Sequence, residues 1–295
     1  MMDIRQLTYY ITLVEEATYT RAADQLHISQ PSLSAAIKKL EHELGLTLID
    51  RGKHHFQVTK EGKILYQEAK KLLNNYEHIH NEMTRLKQHG PMEISIGLIE
   101  STMFFMPKIL STFTNQHPDV RVRLLETLSL YDVENALHNF DVQLAITNQY
   151  MYDREFEAIP LYQEKLVALI PYGHELEDKN ELQMKELAGK KLIVCKEGFQ
   201  TRADILNAFS KAGVTPNIQF EIERFETGCR LVESGLGITI VPENYVKFSK
   251  KPDCRIKTIH DASISRTVYL VYEKNRYLPP IVRQFISLIT GLFGV

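Results

Sequence analysis

The sequence predicts an α/β chain with an all-α head, the two parts joined by one long helix. Three observations carry this. Residues 20–51 hold two short amphipathic helices with a tight connection between them and a third element after them. Residues 65–86 repeat apolar side chains at alternating spacings of four and three. Beyond Gly90-Pro91, strand-like and helix-like segments alternate to the last residues.

In the head, Asp3 and Gln6 have the spacing of a capping box, and Leu7, Ile11 and Val14 form the buried stripe of the helix it opens. Thr20 is placed to cap a second helix with Ala22, Ala23 and Leu26 on its apolar face. Ser29 caps the third, and Pro31 sits in its first turn, where a missing N–H costs nothing. Leu33, Ile37, Leu40 and Leu44 give that helix one buried stripe. Its other face carries Pro31, Ala35 and Lys38, flanked by Ser32, Ser34 and Lys39, with no acidic residue over the first turns. Such a face fits a DNA major groove and sets Gln30, Ser34 and Lys38 against base edges and phosphates. The ordinary alternative is a small helical hairpin that only packs. Residues 46–49 and 56–58 read as two short strands around a polar turn at Gly52, a hairpin wing with Arg51, Lys53, His54 and His55 near its tip. A wing placed there touches phosphate.

Thr59 caps the long helix. Leu65, Ala69, Leu72, Tyr76, Ile79, Met83 and Leu86 then follow at 4, 3, 4, 3, 4, 3, an unbroken heptad seam. A face packed on its own domain would be broader and drift with the 3.6 period, so the seam reads as a dimerisation surface. Two recognition helices on a two-fold axis would read an inverted repeat.

After Gly90-Pro91 the expected strands are 93–99, 120–126, 142–147, 165–170, 192–195, 218–222, 238–241 and 267–272. The expected helices are 106–113, 130–139, 203–212 and 227–234, with a terminal helix turning Val282, Phe285, Ile286, Ile289 and Phe293 inward. The rhythm is βαβ with a parallel sheet, in two subdomains that the chain crosses twice. The divisions are residues 1–58, 59–89, 91–161 with 268–295, and 162–267.

The chain has 295 residues, 44 % hydrophobic, enough for more than one core. A net charge of −2 excludes nucleic-acid binding over the whole surface, so DNA contact depends on placed charges such as Lys38, Arg51 and Lys53. Cys195, Cys229 and Cys254 have neither disulfide nor zinc spacing. No signal-peptide core and no apolar run long enough to span a membrane is present, which points to the cytoplasm. Enzymatic motifs are missing. Gly235-Leu-Gly237 precedes a strand and lacks a third glycine, no G-x-S-x-G elbow occurs, and His78 and His80 diverge on a helix. No cofactor or metal is expected.

The run Ala22-Ala23-x-x-Leu26-x-Ile28-Ser29-Gln30-Pro31-Ser32-Leu33-Ser34, with Ile37-x-x-Leu40-Glu41-x-x-Leu44-Gly45, resembles the winged helix-turn-helix of LysR-type transcriptional regulators. Looser pieces continue the resemblance: Phe113-x-x-x-His117-Pro118-x-Val120, Leu187-Ala188-Gly189, and Leu231-Val232-x-x-Gly235-Leu236-Gly237-Ile238. The resemblance implies a two-lobed effector-binding domain similar to periplasmic binding proteins, with its ligand in the interlobe cleft. It also implies a homodimer pairing into a tetramer, with RNA polymerase as a further candidate partner. A second basic residue commonly stands three after Arg51 in this family; here it is His54. Peroxide-sensing members carry a reactive Cys where Gly198-Phe-Gln-Thr-Arg202 has Gln200, so such sensing is not expected.

The expected DNA contacts are Ser29, Gln30, Pro31, Ser32, Ser34, Ala35, Lys38, Arg51 and Lys53. Ligands of parallel sheets sit at strand ends where helices begin. The effector candidates are therefore Ser101 with Thr102, Thr127 with Ser129, and Thr201 with Arg202, then Thr147, Asn148, Glu226 and Thr227. Helix N-termini and Arg202 would suit a small organic acid or similar anion. Each hydroxyl taken singly is also an ordinary N-cap. The rival reading is a two-lobed ligand-binding protein or enzyme carrying a helical dimerisation module.

Overall fold

The computed structural model describes residues 2–50, 56–88, 92–151, 155–248, 252–260 and 264–295. The chain divides into two compact units, Met1–Gly90 and Pro91–Val295.

The first unit opens with α1 (Ile4–Glu16), whose Asp3 and Gln6 close the expected capping box reciprocally at 2.8 and 2.9 Å. Ala17 turns left-handed (φ 53°) and ends α1. Only Thr18 is then extended before α2 (Tyr19–Gln25), so Thr18, not Thr20, caps that helix. In α3 (Gln30–Leu44), Ser29 accepts from the Ser32 N–H and Gly45 ends the helix left-handed. Leu33, Ile37 and Leu40 are fully buried beside Tyr10, Leu13, Ala22 and Ala23, while Leu44 is half-buried. Each such burial is worth about 1.5–3 kcal/mol, which fixes α3 on its inner stripe and frees its outer face.

The wing's base pairs β1 (Ile49–Asp50) antiparallel to β2 (Gln57–Val58). Glu41 Oε1 accepts from the Leu48 and Ile49 N–H groups at 2.9 and 3.1 Å, tying α3 to this hairpin. Arg51, Lys53, His54 and His55, the expected tip, lie outside the described residues. In α4 (Lys60–Gln88), Thr59 Oγ1 caps the Gly62 N–H at 3.0 Å. A Cβ at Gly62 would lie 2.3 Å from the Leu48 carbonyl oxygen, so only glycine lets α4 approach the wing this closely.

In the second unit, β3 (Glu93–Leu98) is followed by a 3-10 turn (Glu100–Phe104) and α5 (Met106–Gln116). Then come β4 (Arg121–Glu126), α6 (Leu130–His138) and β5 (Leu144–Thr147), with β3 parallel to both β4 and β5. The strand β6 (Phe156–Ile170) runs on into the second lobe. That lobe holds β7 (Glu181–Leu182), β8 (Lys191–Cys195), α7 (Gln200–Lys211), β9 (Asn217–Ile222) and α8 (Phe225–Glu233). It continues with β10 (Ile238–Pro242), α9 (Glu243–Phe248) and β11 (Arg255–Ile259). The chain returns through β12 (Ser265–Glu273) to α10 (Pro280–Phe293).

The strand order is β4-β3-β5-β12-β6-β10-β8-β9, with β11 on β6 and β7 on β11. The sheet is mixed where a parallel one was expected. The two crossings run in opposite directions, so β12 and β6 pair antiparallel, as do β6 and β10. The boundaries expected at 161/162 and 267/268 fall inside β6 and β12, continuous strands shared by both lobes. One core lies between the first sheet and α5 and α10, where Phe113 meets Phe285 edge-on at 4.8 Å. Val282, Phe285 and Ile289 are buried as expected, with Ile286 and Phe293 partly so. The second lobe buries both faces of its sheet, with α7 on one and α8 on the other.

Candidate nucleic-acid interface and ligand cleft

On α3, Gln30, Pro31, Ser32, Ala35 and Lys38 are exposed and Ser34 is half-buried. Ser29 is also exposed, but its hydroxyl is committed to the cap and to Ser32 Oγ at 2.7 Å, which makes it a structural residue. Lys39 stands 3.9 Å from Glu43, whereas Lys38 has no ion-pair partner among the described residues. The face therefore offers an amide, small side chains and one unneutralised ammonium.

On α4 the expected seam divides. Leu65 and Ala69 pack against Leu7 and Ile11 of α1. Leu72, Tyr76, Ile79 and Met83 are 48, 52, 53 and 55 % exposed. Four large apolar residues at heptad spacing are thus left uncovered by their own unit. The Leu86 side chain lies outside the described residues.

The effector candidates separate more sharply. Ser101 and Thr201 converge, but on Arg266 and not on Arg202. Arg266 Nη1 donates to Thr201 Oγ1 at 2.8 Å, and Nη2 to Ser101 Oγ at 2.9 Å. Nε bonds Glu164 Oε1 at 2.7 Å, and Nη2 lies 2.5 Å from the same oxygen. Glu164 also accepts from Ser101 at 3.0 Å and from Asn244 at 3.1 Å. Arg266 and Glu164 face each other across β12 and β6 and are both buried. Arg202 is turned away: its Nη1 holds the Cys195 carbonyl at 2.8 Å and Glu221 at 2.6 Å, so it braces α7 on β8 and β9. The expectation that Arg202 meets the ligand is corrected accordingly.

Several other hydroxyls are structural. Thr102 Oγ1 donates to the Ile99 carbonyl, Ser129 closes a capping box with Asp132, and Thr147 Oγ1 accepts from the Gln149 N–H. Thr127 is buried against Gly97 with its hydroxyl unbonded, and Thr227 is exposed beyond the cleft lining.

Two cavities meet at Ile99 and Glu100. The narrow one is lined by Ile99, Glu100, Leu128, Asn148, Phe199, Thr201, Phe225 and Arg266, and leaves about 10 Å³, room for one water. The wider one, about 500 Å³, has the size of a small-molecule site. Leu98, Met103, Leu125 and Tyr245 give it apolar walls, and Glu100, Glu126, Glu226 and Arg224 supply its charge. Glu100 accepts from the Phe225 N–H at the start of α8, at 3.2 Å. Burial pushes its carboxyl above the usual range, and that hydrogen bond only partly opposes the shift.

The sequence reading did not single out Arg266, Glu164 or Glu100. For Glu164 and Arg266 the only local signal was an acid or base interrupting an apolar strand, and Glu100 had none, standing in the turn after β3. The cysteines are all buried; burial pushes the Cys195 and Cys229 thiols up to about 12 and Cys254 to about 11. No helix among the described residues is long and apolar enough to cross a membrane.

Comparison with known proteins agrees with this fold. Residues 4–63 match the bacterial regulatory helix-turn-helix protein family, lysR type, and residues 87–293 match the LysR substrate binding domain. The HTH-type transcriptional regulator YcgK of Bacillus subtilis is 31 % identical over 97 % of this chain and 94 % of its own length. BenM of Acinetobacter baylyi, another HTH-type transcriptional regulator, is 31 % identical over 82 % of this chain and 80 % of its own. Among solved structures, the LysR family regulator CbnR has the same fold, with a TM-score of 0.71 at 21 % identity and 99 % of both chains covered. CbnR has also been solved in complex with target DNA, with a TM-score of 0.70. With both family matches and these full-length relatives, the chain belongs to the LysR family of DNA-binding transcriptional regulators with an effector-binding domain.

Proposed function

We propose that the chain acts in the cytoplasm as a homodimer, two dimers pairing through their α/β domains. It reads an inverted-repeat promoter site and answers to a small carboxylate in the interlobe cleft, with RNA polymerase as its downstream contact. The observation that carries the DNA part is the acid-free, solvent-facing start of α3. Gln30 is free to make a bidentate base contact, and Lys38 is free for phosphate. The uncovered seam from Leu72 to Met83 supports the dimer. Asn148, Thr201 and Arg266 direct donors at the narrow crevice, which supports a carboxylate there. A ligand bound between the lobes changes DNA spacing only if it prefers one closure state.

The test is fluorescence anisotropy with an operator selected from randomised duplexes, set against random DNA. Gln30→Ala should cut the preference for the operator by about 1–3 kcal/mol. Lys38→Ala should weaken both duplexes alike and flatten the salt slope by about one unit. Equal weakening of both duplexes by Gln30→Ala refutes the base-reading assignment.

A further inference from the structure

The two cavities carry opposite chemistry. In the crevice, the Asn148 Nδ2 is buried without a partner. Thr201 Oγ1 accepts from Arg266, so its own proton is unspent. Arg266 makes three hydrogen bonds, from Nε to Glu164, from Nη1 to Thr201 and from Nη2 to Ser101, with Nη2 also at ion-pair distance from Glu164, and the second N–H of Nη1 is unspent among the described residues. At the start of α7, the N-cap Phe199 offers no side-chain acceptor to the first N–H groups. All of these are donors. The Arg266–Glu164 pair largely cancels its own charge, so apart from Glu100, which stands where the crevice meets the wider cavity, the crevice offers donors in need of an acceptor.

The wider cavity has the reverse need. Three carboxylates face one guanidinium, and Arg224 is already paired with Glu126. Among the described residues Glu226 has no ion pair and Glu100 accepts only from the Phe225 N–H; Arg224 and Arg266 stand near enough to favour ionisation of Glu100, and burial and Glu226 oppose it. Apolar walls join the two ends, and Glu100 lines both cavities.

We propose that the effector is an amino-carboxylate zwitterion, its carboxylate on Asn148, Thr201 and Arg266 and its ammonium between Glu100 and Glu226. A plain acid would leave the two glutamates uncompensated. A plain amine would leave the buried Asn148 amide without an acceptor. Because the crevice is closed to the size of a water, the carboxylate enters as the lobes part. The ligand then links the first lobe, through Glu100 and Asn148, to the second, through Thr201 and Glu226. The inference rests on the reading that the effector binds in this cleft.

The test uses the full chain in a thermal-shift screen, followed by calorimetry. The probes are the twenty protein amino acids and the linear ω-amino acids of three to six carbons, each beside its deaminated acid and its decarboxylated amine. At least one amino-carboxylate should raise Tm and bind at least about tenfold more tightly than its acid or its amine. For that ligand, Glu226→Gln should weaken binding about tenfold yet leave binding of the matched acid unchanged, and Asn148→Ala should weaken both. Glu226 is exposed, so its variant tests the ammonium end without disturbing the core. If a deaminated acid binds as tightly as its amino parent and responds to Asn148→Ala, the cleft reading stands and the zwitterion is overturned. If no amino-carboxylate raises Tm, the zwitterion is overturned. Binding that ignores both variants overturns the zwitterion and the cleft assignment together.

Discussion

Replacing Arg266 by methionine tests how the cleft is held together. The guanidinium gives Glu164 two contacts at 2.7 and 2.5 Å, Thr201 one at 2.8 Å and Ser101 one at 2.9 Å. With it gone, the buried carboxylate keeps only the Ser101 hydroxyl at 3.0 Å and the Asn244 amide at 3.1 Å. Two neutral donors do not balance a charge whose side chain is 1 % exposed. Breaking such a pair from one side costs about 3–5 kcal/mol, chiefly because a charge is stranded. Replacing both partners, Arg266→Met with Glu164→Leu, strands no charge. Thr201 and Ser101 lose the guanidinium in either variant, so the double variant adds only the loss of Glu164 by Ser101, about 1–3 kcal/mol, and by Asn244, which is half-buried and open to water. The double variant should therefore be more stable than the single one. An exposed pair supplies the control: Lys247→Met breaks the contact with Glu243 at 2.6 Å and should cost at most about 1 kcal/mol. Urea unfolding read by near-ultraviolet ellipticity suits a chain with 14 tyrosines and no tryptophan. The transition of the α/β unit should move and that of the head should not. A single variant no less stable than Lys247→Met would show that Arg266 is not stabilising a buried charge, and the donor count for the crevice would fall with it.

Other consequences are as direct. Leu72→Glu places a charge in the uncovered stripe of α4, where burial in a dimer would be costly, so sedimentation should show smaller species; an unchanged oligomer removes the seam from the assembly. The raised carboxyl of Glu100 makes folding take up a proton just above the ordinary carboxylate range, so this group's contribution is full at low pH and is lost as pH rises. Glu100→Gln keeps an oxygen for the Phe225 N–H, so it should gain on the parent as pH rises above the ordinary carboxylate range and match it below. A difference that does not vary with pH would contradict this. Since the thiolate is the nucleophile, the three buried thiols should resist an aromatic disulfide reagent at neutral pH and titrate only in denaturant; rapid labelling of the native chain would reopen a redox role.

What was legible in the sequence is what local chemistry decides. Asp3 with Gln6, Ser29 with Pro31, and Thr59 each mark a helix start within a few residues, and the structure places a cap at each. The error at Thr20 has the same scale: a left-handed Ala17 advances the start of α2 by two residues, a turn that composition does not announce. The heptad seam was legible as a pattern but not as a division of labour. Leu65 and Ala69 obey the same spacing as Leu72 and Tyr76, and only the packing of α1 separates them.

The cleft lay furthest from view. Arg202 sits at a helix start, where general rules look for an anion, while Arg266 sits in a strand, where they do not. What makes Arg266 the central residue is the antiparallel register of β12 on β6, which sets it opposite Glu164 across 102 residues of chain. That register follows from the chain crossing between the lobes twice in opposite directions. The same crossing brings Ser101 of the first lobe and Thr201 of the second to one guanidinium. Two of the residues that join the lobes, Thr201 and Arg266, thus also line the crevice. A ligand that engaged Thr201 and Arg266 as proposed would act on the contacts that join the lobes, and its binding would then be coupled to their closure.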